Sequence, residues 1–259
     1  MKWDAEKYDS VKAPQIDAGR ELIALTGIRK NDSMLDIGCG TAKLTLELAG
    51  LAPGGEIIGI DPSKEMILKA LKVSEKATNI KLIHVAAEAM DFSGRFDIAF
   101  SNSALQWVKD QPQALSLTYK ALKNGGRIAF QLPAKNFCSE FFDYTERAIA
   151  LLKFERFTED MELPWYLPTK EEYEKLLGDA GFREINVFYK DYRITFDRID
   201  QIMDWWSSAG LRPYLAALPD RERGYFSYAV AMQYENNWTG RGYEFNFRRL
   251  FAFAEKEAS

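Results

Sequence analysis

The sequence predicts an α/β protein with a doubly wound, mostly parallel sheet of seven strands and a helical cap that is rich in aromatic residues. From residue 20 to residue 133, short apolar runs alternate with amphipathic stretches of helical spacing. Strands this apolar are typical of a parallel sheet that helices cover on both faces. Beyond residue 133 the alternation ends, and 27 of the 35 aromatic residues follow residue 136. We expect most of them to form the core of the cap, and a subset is the candidate lining of an apolar pocket.

The first half of the chain predicts five strands with helices between them. Each strand is a mainly apolar run of five or six residues, and the helices carry apolar residues at helical spacing. Turns rich in glycine, at 53–55 and 124–126, punctuate the pattern. We predict strands at 33–37, 56–60, 80–85, 96–101 and 127–132, and helices at 41–51, 63–76 and 112–122.

The second half predicts the cap and the remaining two strands. Two short apolar runs, 184–189 and 250–255, are interpreted as extensions of the same sheet. The helices between and before them would form the cap. Helical spacing occurs at 138–152, 170–180, 198–208 and 220–238.

Composition excludes several classes of protein. Lys and Arg number 34 against 38 Asp and Glu, a net charge of −4 that argues against nucleic acid as the main partner. No apolar run is long enough to cross a bilayer, and the N-terminus is unlike a signal peptide. Cys39 and Cys138 lie far apart, which is neither a disulfide framework nor a zinc spacing. We therefore expect a cytoplasmic protein, a monomer or weak homodimer, with a small-molecule substrate and no membrane partner.

A glycine loop follows the first predicted strand in the run LDIGCGTA, residues 35–42. Glycines allow the backbone to approach a ligand, and the helix that follows begins with free N–H groups. Such a loop is either a plain strand-to-helix turn or a dinucleotide fingerprint. The third glycine of that fingerprint is missing, since Ala42 stands two residues after Gly40.

An acidic residue makes the glycine loop more specific. Asp61 closes the second predicted strand, 25 residues after Asp36. In a doubly wound sheet this position lies beside the glycine loop, where a carboxylate can accept two hydrogen bonds from a ribose diol. The alternative is a helix cap for the segment that begins at Ser63. Together the loop and the acid favour a nucleoside ligand.

Five runs in order resemble the class I S-adenosylmethionine-dependent methyltransferases. They are LDIGCGTA, GIDPSKEM, AAEAMDF, FDIAFSNSALQW and LKNGGRIAFQLP, and they cover roughly residues 15 to 135. The resemblance implies the Rossmann-like methyltransferase fold, S-adenosylmethionine as the cofactor and methyl transfer as the reaction. The family usually has a third glycine where this chain has Ala42.

A narrower resemblance concerns the methyl acceptor. The N-terminal Trp3 and Tyr8, the run 102–107 (NSALQW) and the run 205–215 (WWSSAGLRPYL) are similar to the trans-aconitate 2-methyltransferases. The Leu-Gln-Trp element is also similar to the malonyl-carrier-protein O-methyltransferases. Both families esterify a free carboxylate, so the resemblance implies a small carboxylic acid as the substrate.

The resemblance divides one domain, 1–259, into functional parts. It implies an N-terminal lid at 1–20 and a cofactor-binding core at 21–133. The cap segments are 134–180 and 198–245, and the late strands are 184–190 and 248–256.

On the cofactor side, the resemblance implies a role for ten residues. Gly38 and Gly40 would wrap the methionine part, and Asp61 would bind the ribose hydroxyls. Asp36 would lie near the amino group or, alternatively, orient the loop. The others are Pro62 or Met66 beside the adenine, Ala87 and Glu88 at the adenine edge, Asn102 beside the sulfonium, and Tyr8 in a lid that closes over the cofactor or only packs the terminus down.

On the substrate side, Trp107, Gln106 and Arg212 are the candidates. Trp107 would be a wall of the methyl-transfer site or a core aromatic, and Gln106 would donate a hydrogen bond to a substrate oxygen. Arg212 would clamp a carboxylate, since a guanidinium matches a carboxylate bidentately. Arg248 and Arg249 are weaker candidates, interpreted, like Arg241, as ordinary surface arginines.

The expected mechanism needs little chemistry from the protein. A carboxylate is already ionised at neutral pH, so direct in-line displacement at the sulfonium methyl needs positioning but neither a general base nor a metal. His84 is the only histidine, and its place within a strand favours a structural role. Less favoured alternatives are a base-dependent methylation, a nicotinamide-dependent oxidoreductase and a cofactor-binding module without transfer activity.

Overall fold

A computed structural model describes residues 14–208 and 210–258. Within these residues, seven strands form one sheet. They are β1 Met34–Ile37, β2 Ile57–Asp61, β3 Ile80–His84, β4 Phe96–Asn102, β5 Leu122–Pro133, β6 Arg183–Phe196 and β7 Tyr243–Glu255. Their order in the sheet is β3-β2-β1-β4-β5-β7-β6. Strands β1 to β5 pair in parallel, whereas β7 pairs antiparallel with both β5 and β6.

Helices cover both faces of the sheet and build the cap. They are α1 Pro14–Thr26, α2 Lys43–Leu51, α3 Lys64–Val73, α4 Gln111–Ala121, α5 Ser139–Leu152, α6 Glu155–Thr158, α7 Lys170–Asp179, α8 Ile199–Ser208, α9 Arg212–Ala217 and α10 Asp220–Gln233. Short 3-10 helices lie at Ala87–Ala89, Leu105–Trp107 and Tyr234–Asn237. The predicted doubly wound sheet with an aromatic-rich cap is confirmed.

The central strands explain where a site can form. Every residue of β1 and β2 is buried, as expected for strands covered on both faces. Because β1, β2 and β4 are parallel, their carboxyl ends meet at one edge of the sheet. The glycine loop, Asp61 and Asn102 therefore lie at this edge.

The late strands are longer than predicted and enter the cap. β7 pairs with β5 only over residues 249–255, but it pairs with β6 from Tyr243 to Glu255. Residues 192–196 and 243–247 therefore project past the carboxyl edge of the sheet, and we call them the β6–β7 arm. The prediction assigned both segments of the arm outside the late strands, although Tyr243, Phe245 and Phe247 recur at the period of a strand.

The cap has its own aromatic core. Phe141 stacks on Trp206 with centroids 3.8 Å apart, and Trp205 stacks on Phe245 at 5.6 Å. Phe247 meets Trp205 edge to face at 5.6 Å. The β6–β7 arm thus supplies one wall of the cap, and the excess of late aromatic residues is largely accounted for by this core, as predicted.

The predicted N-terminal lid is only partly described. Its residues from Pro14 onward belong to α1, and Ala18 and Leu22 of that helix are fully buried against the sheet. This part is therefore packed into the core. Trp3 and Tyr8 lie outside the described residues.

We expect Phe245→Ala to lower the free energy of unfolding by about 3–5 kcal/mol, the usual cost of removing a buried phenylalanine ring. Phe245 is buried and packs on Phe196 and Trp205 with centroids 5.7 and 5.6 Å apart. Urea denaturation measures the change. Tyr225→Ala, on an exposed position of α10, is the control and should stay within about 0.5 kcal/mol of the wild type. A loss below about 1 kcal/mol for Phe245→Ala would contradict the arm's part in the cap core.

Candidate active site

A cleft lies between the carboxyl edge of the sheet and the cap, with about 1150 Å³ of empty space that is partly open to solvent. The loops after β1, β2, β4 and β5 line one side of this cleft, and cap residues line the other. Eight of the predicted site residues line it. They are Gly38, Gly40, Asp61, Pro62, Met66, Asn102, Gln106 and Trp107.

The glycine loop follows β1 with a backbone that favours glycine. Gly38, Gly40 and Ala42 have φ angles of 76°, 54° and 64°. A Cβ on Gly38 would lie 2.1 Å from the Cβ of Ala104, whereas a Cβ on Gly40 would meet no described atom within 4 Å. Gly38 therefore permits close packing, and Gly40 leaves open space for a ligand. Ala42 adopts the same left-handed region, which explains physically why a glycine is common at this position.

Asp61 connects the loops that follow β1 and β2. Its Oδ2 accepts the Gly40 N–H at 3.0 Å, and its Oδ1 accepts the Ser63 N–H at 2.8 Å. Burial raises the pKa of this carboxyl, and the two backbone hydrogen bonds oppose the increase. The cap of α3 is Ser63, whose Oγ accepts the Met66 N–H. Asp61 is thus at the cleft, with lone pairs left for a further donor.

Asp36 lies behind the loop. Its side chain is buried, its Oδ2 accepts the Thr45 hydroxyl at 2.6 Å, and it is not among the residues that line the cleft. Burial raises the pKa of Asp36 from an ordinary value of 3.8 to about 7. The observed contact ties β1 to the start of α2, which matches the orienting role. A direct contact with the cofactor's amino group stays a prediction.

Asn102 ends β4 and lines the cleft. Its Nδ2 donates to the carbonyl oxygen of Gln15 at 3.1 Å, so it also fixes the start of α1. Its Oδ1 is buried and accepts no hydrogen bond from the residues that the structure describes. A buried acceptor of this kind is stabilised by a ligand that donates a hydrogen bond.

The predicted adenine contacts divide into two groups. Pro62 and Met66 line the cleft next to Asp61. Ala87 is buried in the core on one face of the sheet, Glu88 is half-buried, and neither lines the cleft. His84 has its Nε2 2.9 Å from the Pro62 carbonyl oxygen, so this lone histidine supports the loop after β2.

Gln106 and Trp107 follow β4 in a 3-10 helix, and both line the cleft. The Gln106 Nε2 donates to the Ser103 carbonyl at 2.9 Å, while its buried Oε1 accepts nothing from the described part of the chain. One N–H of the Gln106 amide, the predicted donor to the substrate, is thus bonded within the protein. Trp107 meets Trp165 edge to face at 5.9 Å, which favours its interpretation as a wall.

The arginine that the structure brings to the cleft differs from the predicted one. Arg212 begins α9, is half-buried and does not line the cleft, whereas Arg249 lines it with only 2% of its surface exposed. Arg249 Nη2 donates to Gln131 Oε1 at 2.6 Å and also to Ser103 Oγ. Sequence reasoning ranked Arg212 first because it lies in a motif. The sequence did contain a signal for the burial of Arg249. Side chains alternate between the two faces of a strand, so Arg249 lies on the same face of β7 as Phe247.

No group of three or more His, Cys, Asp or Glu side chains within residues 14–208 and 210–258 is arranged to hold a metal ion. None of the helices between residues 14 and 258 has the length and apolar character needed to cross a membrane.

Comparison with known proteins defines the class. A family model described as a methyltransferase domain matches residues 28–181, more than half of the chain. The chain belongs to this family. With its seven-stranded sheet and glycine loop it is a class I S-adenosylmethionine-dependent methyltransferase, and S-adenosylmethionine is its cofactor, as the sequence resemblance predicted.

Individual relatives give finer detail. The trans-aconitate 2-methyltransferase of Deinococcus radiodurans is 28% identical over 99% of both chains. That of Streptomyces avermitilis is 31% identical over 86% of this chain and 84% of its own. Among solved structures, the YcgJ protein from Bacillus subtilis has a TM-score of 0.65 at 18% identity, covering 94% of this chain and 100% of that one. Haemonchus contortus phosphoethanolamine N-methyltransferase 2, in complex with S-adenosyl-L-methionine, has a TM-score of 0.62 at 20% identity, covering 98% of this chain and 56% of that one.

The cleft fits this cofactor on its own chemistry. Asp61 retains lone pairs for two ribose hydroxyls, and the buried Asn102 Oδ1 suits an ammonium donor. The open space beside Gly40 suits a ligand that approaches the backbone. Pro62 and Met66 would then flank the adenine.

We expect Asp36 to make stability depend on pH between about 4 and 7. Its folded-state pKa of about 7 is above the ordinary 3.8, so its contribution is fully present below the unfolded pKa and is lost as pH rises through the folded pKa. When the pH is raised from about 5 to about 8, the free energy of unfolding measured with urea should fall more for the wild type than for Asp36→Asn. Asp91→Asn, on the surface, should behave as the wild type. An equal loss in Asp36→Asn would contradict the assignment.

We expect Asp61→Ala to weaken binding of S-adenosylhomocysteine by about 1.5–3 kcal/mol, the scale of hydrogen bonds to a charged group. Titration calorimetry measures the change. Asp91→Ala, which removes an exposed acid paired with Lys120, is the control and should bind as the wild type does. Unchanged affinity in Asp61→Ala would remove Asp61 from the cofactor site.

Proposed function

We propose that this methyltransferase transfers the methyl group to a carboxylate oxygen of a small carboxylic acid, without a metal. The names of the trans-aconitate relatives support an acid as the acceptor. The observation that carries the proposal is the buried guanidinium of Arg249 at the cleft.

The surroundings of Arg249 prepare it to hold an anion. Gln131 and Ser103 accept hydrogen bonds from its Nη2, so the planar group is held in one orientation. Its Cζ lies 4.8 Å from the centroid of the Phe247 ring. A guanidinium in a site of low dielectric attracts a carboxylate more strongly than it does in water.

Arg249 is also near the cofactor side. Its partner Ser103 follows Asn102 directly, and both residues line the cleft at the end of β4. An acid bound to Arg249 would therefore lie close to the position where Asn102 meets the cofactor. Binding that holds the carboxylate close to the methyl donor increases the rate of transfer.

The proposed reaction depends on the positioning of the substrate more than on proton transfer. When bound, S-adenosylmethionine supplies an electrophilic methyl group on a sulfonium. The acid arrives ionised at neutral pH, so no residue has to remove a proton. In this proposal Arg249 orients the carboxylate, Asp61 and Asn102 hold the cofactor, and the cap aromatics exclude water.

Neighbouring arginines on β7 provide a matched test. Arg249→Gln should lower kcat/KM for the best acid at least about 30-fold, since losing one partner of a buried ion pair costs about 2 kcal/mol or more. Arg248→Gln is the control, because Arg248 lies on the opposite face and pairs with Asp191 at 2.7 Å. Its activity should stay near that of the wild type. Arg249→Lys should recover activity only in part.

The same assay distinguishes a folding defect from a binding defect. Calorimetry with S-adenosylhomocysteine should give wild-type affinity in Arg249→Gln if the fold is intact. Arg212→Gln compares the clamp predicted from the sequence with the one that we propose. Loss of activity in Arg212→Gln together with full activity in Arg249→Gln would overturn the assignment of Arg249.

A further inference from the structure

We propose that the acceptor is a monocarboxylic acid with an apolar body, and that a second carboxylate on the acceptor is rejected. This inference rests on the proposed function and narrows its substrate class. It separates this chain from an enzyme whose acceptor, like trans-aconitate, carries three carboxylates.

The first argument is the charge of the cleft. Arg249 is the only Lys, Arg or His among the described residues that line it. The other charged residue in the lining is Asp61, an anion on the cofactor side. One guanidinium matches one carboxylate, and the part of the lining that the structure describes offers no second cation for a second carboxylate.

The second argument is an aromatic wall that runs from the loop after β4, through the cap, to β7. Its rings contact one another edge to face in a continuous series, from Trp107 to Trp165 at 5.9 Å, to Phe142 at 6.2 Å, to Phe137 at 6.1 Å and to Phe247 at 5.6 Å. All five line the cleft. Such a surface binds apolar and aromatic bodies and offers them ring faces and edges.

The third argument is that Arg249 belongs to this wall. Its Cζ lies over the Phe247 ring at 4.8 Å, so a carboxylate bound to Arg249 leaves the rest of the acid against the rings. A second ionised group there would lose its hydration without gaining a cation. An apolar body instead buries its surface against the rings.

Two polar atoms in the lining of the cleft support the same inference. Asn102 and Gln106 each carry a buried amide oxygen that accepts no hydrogen bond from any described residue. An oxygen acceptor repels a carboxylate and is satisfied by a donor. These two oxygens therefore favour the cofactor's donors over a second acidic group on the acceptor.

Matched acids test this proposal with labelled S-adenosylmethionine. The pairs are cinnamate with 4-carboxycinnamate and octanoate with octanedioate, which differ by one carboxylate on the same body, and trans-aconitate completes the series. We expect kcat/KM to fall at least tenfold from the better monoacid to its diacid partner. Trans-aconitate should also be at least tenfold poorer than that monoacid.

A substitution that should change the specificity provides a second experiment. Trp165→Arg places a cation in the aromatic wall and should raise the ratio of diacid to monoacid turnover at least fivefold. Tyr225→Arg, which adds the same charge at an exposed position on α10, is the control and should leave the ratio unchanged. Binding of S-adenosylhomocysteine by both variants verifies that they are folded.

The outcomes separate the two proposals. A tenfold preference for the monoacid supports the inference. Equal or faster methylation of a diacid or of trans-aconitate overturns the inference and leaves the carboxylate methyltransferase intact. Failure to methylate any acid, with S-adenosylhomocysteine still bound, overturns the proposed function and the inference with it.

Discussion

The register of β7 is the constraint on which the cleft depends. β5 ends at Pro133, opposite Arg249, so the part of β7 before Arg249 pairs with β6 and not with β5, and it continues into the cap. Alternation along β7 then puts Phe245, Phe247 and Arg249 on one face. A slip of one residue would turn Arg248 inward and carry the aromatic rings to the outside. Sheet, cap wall and buried cation are therefore fixed by one strand pairing.

The buried charged residues at the two ends of the cleft have opposite signs. Asp36 lies within β1, behind the glycine loop, and Asp61 ends β2 at the cleft. We propose that the cofactor, whose sulfonium and amino groups are cationic, binds on this side. Arg249 lies among the cap aromatics, where an anionic acceptor would bind. The raised pKa values of both carboxyls reflect burial that a bound cation would offset. Opposite fields at the two ends of one cleft would orient donor and acceptor before any contact is made.

The sequence was most informative where function follows from position along a strand. Gly40, Asp61 and Asn102 were predictable because each stands at the carboxyl end of a parallel strand, and local pattern alone places it there. Arg249 was interpreted as a surface arginine, whereas it is buried, because its burial depends on the pairing of strands that are distant in the sequence. Ala87 was predicted at the adenine edge, but its packing into the core on one face of the sheet depends on tertiary contacts that the sequence does not display.

The two halves of the cleft depend on different properties of the chain. The cofactor half uses backbone geometry, and Ala42 shows that it tolerates a side-chain change at a left-handed position, at a modest cost in strain. The proposed acceptor half depends on the size and charge of a few side chains, so single substitutions there would change which acid fits. Relatives at 28–31% identity can therefore share the methyl-transfer edge and still differ in the cap. Our proposal for the acceptor therefore rests on this chain's own aromatic wall and buried arginine more than on the names of its relatives.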